Sequence, residues 1–257
     1  MAPRSVQKLV ESFKEVTDLR DSEATAWLTK YKWNLEDAVE AYLTQTVMNS
    51  QGQNLLTQEQ KSNLINLFNK YKQDDEDYIG IDGTIQYIED MEFEVEDPVV
   101  LALAEFLEST KMGVFERSKF VDNWEKAGIS SIKEMRQKVL EFQRSLENDE
   151  QFLKKVYDFT FKFLLENNQR TLLKDTAVEY WKLLLSHHFG EEKTSQWCQF
   201  INDEWQFAIT KDQWQMLFLF MTEWNQKGNF IESYDENAAW PSMMDTFVEY
   251  LRAKTSS

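Results

Sequence analysis

Cys198, the neighbours His187 and His188, and the carboxylates between Asp74 and Asp82 have the strongest claim to chemistry in this sequence. A lone thiol can serve as a nucleophile only if a nearby base or cation holds it as thiolate. Cys198 instead sits among Trp197, Phe200 and Ile201, the setting of a small buried hydrophobe. Adjacent histidines on a helix diverge by about 100°, so His187 and His188 do not form a same-face pair for a metal. With a single cysteine there is no internal disulfide framework and no thiolate-rich zinc site. No phosphate-cradling glycine loop, nucleophile elbow or HExxH motif occurs. The expectation is no catalytic residue, no metal and no cofactor.

The acidic stretch Asp74-Asp75-Glu76-Asp77-Tyr78-Ile79-Gly80-Ile81-Asp82-Gly83 lies between two helical patterns, the outline of a helix–loop–helix calcium site. Such a loop needs oxygen ligands at positions 1, 3, 5 and 12 and a small residue near position 6. With Ile81 at the apolar eighth position, Asp74 and Glu76 fit, but Tyr78, Ile79 and Ile85 stand where an oxygen, a glycine and a glutamate belong. A second loop anchored on Phe115 has Glu108 and Gly113 but also Thr110, Met112 and Lys119. Third and fourth loops around Leu172 and Ile209 end on Thr176 and Gln213. The outline survives without its ligands, and we expect two degenerate EF-hand-like pairs rather than calcium binding.

These segments belong to an all-α chain. Three prolines and seven glycines in 257 residues leave long uninterrupted runs, nearly all with helical periodicity. Leu9, Val10 and Phe13, then Ala24, Trp27 and Leu28, then Leu35, Ala38, Val39 and Tyr42 mark three short amphipathic helices within residues 1–45, with Asn34 as the cap of the third. A polar linker over 46–56 follows, and residues 57–257 form a larger helical body that opens on the capping box Thr57-Gln58-Glu59-Gln60. A net charge of -17 disfavours nucleic acid and anionic membrane and suits a basic protein partner. With no apolar run long enough to span a bilayer and no secretory leader pattern, an intracellular location is expected, with nucleus and cytoplasm both open.

The stretch Tyr234-Asp235-Glu236-Asn237-Ala238-Ala239-Trp240-Pro241, continuing through Met243-Met244-Asp245 to Phe247-Val248-Glu249-Tyr250, resembles the terminal motif of the potentiating-neddylation domain of the defective-in-cullin-neddylation family. Tyr78 to Gly83, Asp158 to Phe163, Ala177 to Leu183 and Ile209 to Trp214 agree in the same order, and the front module is similar to a ubiquitin-associated domain. Val16 and Thr17 stand in place of that domain's Met-Gly-aromatic loop, which leaves two readings of the module open, ubiquitin contact and a structural role.

The resemblance implies a scaffold-type ligase component with no chemistry of its own. It would bridge an amino-terminally acetylated conjugating enzyme of a ubiquitin-like modifier and the carboxy-terminal region of a cullin. The family's cullin-contact patch maps onto Asp212, Ala239 and Asp245; the plainer alternatives are helix capping by the two aspartates and simple crowding at Ala239. Its acetyl-methionine peptide pocket maps onto Ile81, Thr84, Val100, Leu103, Ala104, Leu107, Phe115, Phe163, Tyr180 and Leu183, some of which core packing would equally explain. Thr84, Leu107 and Gly113 depart from the residues common in the family and would alter the pocket's shape. A calcium-responsive regulator and a ubiquitin adaptor are the rival readings.

Overall fold

Short polar residues set the starts of several helices. Thr57, Ser131 and Thr210 each accept a hydrogen bond from the backbone N–H three residues on, while Gln60, Glu134 and Gln213 return the bond to the cap. The computed structural model describes residues 4–17, 21–42, 56–166, 168–236 and 238–255. The chain divides into two compact units, one built on residues 1–56 and the other beginning at Thr57. Apart from Leu56 and the helix end up to residue 42, the expected boundary and linker region lies outside the described residues.

The first unit is a three-helix bundle: α1 (Arg4–Thr17), α2 (Asp21–Lys30) and α3 (35–42). Phe13, Ala24, Leu28 and Ala38 are fully buried at its centre, and Leu9, Val10, Trp27 and Tyr42 pack around them. The Asn34 side chain accepts from the Glu36 and Asp37 N–H groups and so caps α3. Lys32 and Trp33 take positive φ in the tight turn before it. Val16 and Thr17 belong to the last turn of α1, not to the connecting loop where the sequence reading placed them; Thr17 Oγ1 donates to the Phe13 carbonyl and extends the helix.

The second unit repeats one local pattern four times, a helix, a two-residue strand and a helix. Helix α4 (Gln58–Tyr71), β1 (Tyr78–Ile79) and α5 (Ile81–Asp90) are followed by α6 (Val99–Phe106), β2 (Phe115–Glu116) and α7 (Arg117–Lys126). After α8 (Ile132–Asn148) come α9 (Glu150–Phe163), β3 (Thr171–Leu172) and α10 (Lys174–Phe189), then α11 (Glu191–Asp203), β4 (Ile209–Thr210) and α12 (Lys211–Gln226). Helix α13 (Ser242–Thr255) is the last element. β1 pairs antiparallel with β2, and β3 with β4 through Leu172 and Ile209. The partner of Phe115 is Ile79, not Ile81. Ile81 is already the first residue of α5, because Gly83 lets that helix start hard against the end of α4: a Cβ at Gly83 would come within 1.9 Å of the Tyr71 carbonyl oxygen.

An aromatic core holds α9, α10, α11 and α12 together. Tyr157, Trp181, Trp197 and Trp214 are fully buried, and Tyr157 stacks on Trp214 at 4.5 Å between centroids. Buried phenols and indoles need partners for their polar atoms, which Tyr157, Trp181 and Trp214 find in one another while Trp197 Nε1 has none among the described residues. Trp181 Nε1 donates to the Tyr157 hydroxyl at 2.9 Å, that hydroxyl donates to the Trp214 carbonyl at 2.7 Å, and Trp214 Nε1 donates to the Tyr157 carbonyl at 2.9 Å. No helix of the described residues is long and apolar enough to cross a membrane.

Candidate functional site

The residues with chemical potential are not assembled for catalysis. Cys198 is buried, its sulfur 3.9 Å from the Val178 carbonyl, and burial pushes the thiol up to about 11, far from thiolate at neutral pH. His188 Nε2 lies 3.2 Å from Glu150 at the end of α10, and His187 precedes it in the same last turn. Among the described residues no three His, Cys, Asp or Glu side chains converge as a metal site. The Lys119 ammonium, in the first turn of α7, rests on the Glu108 carboxylate from the turn before β2, joining the first and twelfth positions of the expected second loop by an internal ion pair.

A cavity of about 520 Å³ opens between α5, α6, the end of α9 and α10. One stripe of α5 supplies Ile81, Thr84, Ile85 and Ile88, which the i, i+3, i+4, i+7 spacing places on one face. Val100 and Ala104 face it from α6, Phe115 from β2, Phe163 from the last turn of α9, and Tyr180 and Leu183 from α10. The hydroxyl of Thr84 is turned away from a partner's use, donating to the Gly113 carbonyl at 3.0 Å. Gly113 makes that turn at a φ of +69°, with Ile81 so close that a Cβ would stand 3.0 Å from its Cγ1. Tyr180 is half buried, and burial, with the Glu179 carboxylate beside it, raises its phenol. Its hydroxyl therefore stays protonated as a donor at the cavity wall.

Eight of the ten residues expected for the peptide pocket line this cavity. Leu103 and Leu107 do not: each is only 1% exposed, and both sit in the core. Leu103 in α6 and Leu107, the residue that ends it, are four apart on one side, while Val100 and Ala104 form the adjacent stripe that faces the cavity. Ile85, Val95 and Met112 also line it and were not expected; Ile81, Met112 and Val95 remain 63%, 53% and 39% exposed at its mouth. Its charged lining residues are Glu96, Asp97 and Glu179, all acidic.

A second concavity of about 520 Å³ lies along α12 and the segments at 227–235 and 238–240. Ala239 lines it, exposed. Asp212 stands in the first turn of α12, four residues before the groove-lining Met216 and on the same helical stripe. Because Thr210 already caps α12, Asp212 is not the cap residue, and no hydrogen bond or ion pair within the described residues engages its carboxylate. Asp245, in the first turn of α13, accepts from the Tyr234 hydroxyl at 2.6 Å, and Tyr234 is itself a wall of the groove. Burial and that bond to Asp245 both raise the Tyr234 phenol, so the proton remains on oxygen. The Arg252 guanidinium fixes the preceding turn, donating twice to the Ile231 carbonyl and once to Glu236. The structure thus places Ala239 on the groove, Asp212 along the helix that forms one wall, and Asp245 behind the tyrosine that forms another.

Comparison with known proteins adds two matches to family models, a cullin-binding family over residues 134–250 and a UBA-like domain over residues 7–46. The chain is 35% identical to the defective in cullin neddylation protein 1 of Yarrowia lipolytica, over 92% of each chain. It is 30% identical to the protein of that name from Candida glabrata, over 99% of each. A DCN1-like protein 3 of Drosophila melanogaster is 31% identical over 74% of this chain and 56% of its own.

Proposed function

The chain belongs to the defective-in-cullin-neddylation family, and on that premise we propose that it is a non-catalytic scaffold that binds a cullin and promotes its neddylation. The observation that supports this reading is the presence, on one compact unit, of two concavities of different character, one with an apolar mouth and one beside the carboxylates of Asp212 and Asp245. The conjugating enzyme brings the modifier as a thioester and performs the chemistry. The scaffold supplies proximity and orientation, converting an encounter of two partners into an effectively intramolecular step.

In this reading the apolar cavity takes the acetylated amino-terminal methionine of the conjugating enzyme. Acetylation removes the terminal cation that would be costly to bury, and an unbranched methionine fills an irregular hole. The apolar rim of Ile81, Val95 and Met112 supports such an occupant, and the Tyr180 hydroxyl is placed to donate to a carbonyl of the peptide. Asp212, Ala239 and Asp245 form the face for the basic carboxy-terminal region of the cullin, the carboxylates accepting from its cations while the alanine lets the surfaces approach.

The finer organisation belongs to the same proposal: a ubiquitin-associated-like domain over 1–45, a linker over 46–56 and a potentiating-neddylation domain over 57–257 whose two strand pairs join helix–loop–helix segments in EF-hand-like fashion. Ubiquitin is a further partner of the front bundle, and nucleus and cytoplasm are the compartments in which the cullin would be met. Sedimentation of the protein mixed with a cullin carboxy-terminal region and the acetylated conjugating enzyme tests the bridging directly. A ternary complex is expected; mutually exclusive binding would overturn the scaffold.

A further inference from the structure

The lining of the groove along α12 combines apolar side chains with the carboxylates of Glu223 and Asp235, and Asp212 and Asp245 each stand next to one of its lining residues, outside the lining itself. Met216 and Leu219 line it from the helix, Phe230 and Trp240 from the turns that follow, and Ala239 adds only a methyl group at the lip. Leu219 is 48% exposed in the middle of α12, whereas Leu217 and Phe218 beside it are buried. Lys227, the cation in the lining, is held by Glu223 at 2.7 Å. Asp212 continues the stripe of Met216 and Leu219 by one turn toward the helix start. Tyr234, another lining residue, occupies Oδ1 of Asp245, and Oδ2 has no partner within the described residues.

From the apolar side chains of this groove, with Asp212 one turn before Met216 and Asp245 behind Tyr234, we infer that the groove receives an apolar side chain of the cullin, presented beside cationic side chains that reach Asp212 and Asp245. This rests on the reading of Asp212, Ala239 and Asp245 as the cullin face and adds an anchor to it. Such an anchor fits the way interfaces concentrate binding in a central apolar contact while rim charges steer and orient. The hollow is large enough for a whole leucine or methionine side chain, and the small Ala239 leaves its lip open to the backbone that carries it. Tyr234 acts here as a positioning residue, since it fixes one oxygen of Asp245 and leaves one acceptor for the partner.

The test is a calorimetric titration of the full chain with a purified cullin carboxy-terminal region at two salt concentrations. It compares the native protein with Leu219→Asp, Leu219→Met and the Asp212→Ala, Asp245→Ala pair. Leu219→Asp adds a charge of the sign that attracts a basic partner, so a loss of affinity must come from the apolar contact. The expected result is about tenfold weaker binding for Leu219→Asp with an undiminished salt dependence, and near-native binding for Leu219→Met. The aspartate pair should lose both affinity and salt dependence. Native or tighter binding by Leu219→Asp, with the aspartate pair still weakened, would overturn the anchor and leave the cullin face standing. Unchanged binding by the aspartate pair would overturn the face and the anchor with it.

Discussion

Two concavities of the larger unit, the cavity beside α5 and the groove along α12, have similar volumes and different physics. The cavity between α5, α6 and α10 has an apolar mouth, with the Thr84 hydroxyl spent on the Gly113 carbonyl and the Tyr180 hydroxyl at its wall. The groove along α12 has fewer apolar lining residues and stands beside carboxylates that the described residues leave wholly or partly unsatisfied, Asp212 entirely and Asp245 on one oxygen. Burial drives the first, so its occupant is selected by shape and by the absence of charge. Charge dominates the second, so its partner is selected by cationic groups and the interaction weakens with salt.

The sharpest way to break this contrast is to remove the charge from one side only. Asp212→Ala combined with Asp245→Ala should weaken cullin binding by roughly 2–4 kcal/mol while leaving acetylated peptide affinity unchanged, as read by titration with each partner separately. Loss of both activities would mean that the surfaces are not separable. Next in size, a donor peptide with a free amino terminus should bind the cavity about 1–3 kcal/mol more weakly than its acetylated form. Equal calorimetric affinities for the two peptides would remove the apolar cavity from the mechanism.

A third perturbation acts on what joins the two surfaces. Tyr157 ties α9 and α10, which wall the cavity, to α12, which walls the groove. Tyr157→Phe deletes the hydroxyl that accepts from Trp181 Nε1 and donates to the Trp214 carbonyl, leaving the buried indole N–H of Trp181 unpaired at a cost of about 1–3 kcal/mol in denaturant unfolding. A stability loss within a few tenths of a kcal/mol would show that water or repacking replaces the network. The smallest effect is confined to the cavity side. Asp90 at the end of α5 is held down to about 2, first by the hydrogen bond from Lys70 and then by that from Tyr71, against an unfolded value near 3.8. A depressed carboxylate stabilises the fold above its unfolded value and loses that contribution as pH falls through about 2. The partners are largely exposed, so the effect is about 1 kcal/mol or less. Asp90→Asn should flatten the acid limb of stability between pH 4 and 2; an unchanged limb would remove Asp90 from it.

The same contrast separates what could be read from the sequence from what could not. Helices were legible wherever polar and apolar residues alternate with helical period, as in α4, α8 and the three helices of the front bundle. Helix α6, Val99–Phe106, is apolar nearly all round, so periodicity could not distinguish Leu103 and Leu107, which face the core, from Val100 and Ala104, which face the cavity. In the first strand pair, two isoleucines two residues apart both fit the alternation, and the contact of Gly83 with Tyr71 decides that Ile79 pairs while Ile81 begins a helix. Ile85 was within reach, since it shares the stripe of Ile81 and Ile88, whereas Val95 and Met112 come from turns with no period to follow. The family resemblance pointed to Asp212, Ala239 and Asp245, but it carried no sign that Tyr234 holds one oxygen of Asp245, a bond that only the fold brings together.

Single-turnover transfer of the modifier from an acetylated conjugating enzyme to a cullin, with and without this protein, tests the scaffold most directly. The account predicts that the native chain accelerates transfer and that the folded Asp212→Ala, Asp245→Ala variant does not. Equal acceleration by both proteins would contradict the assigned cullin face, and no acceleration by the native chain would contradict the scaffold itself.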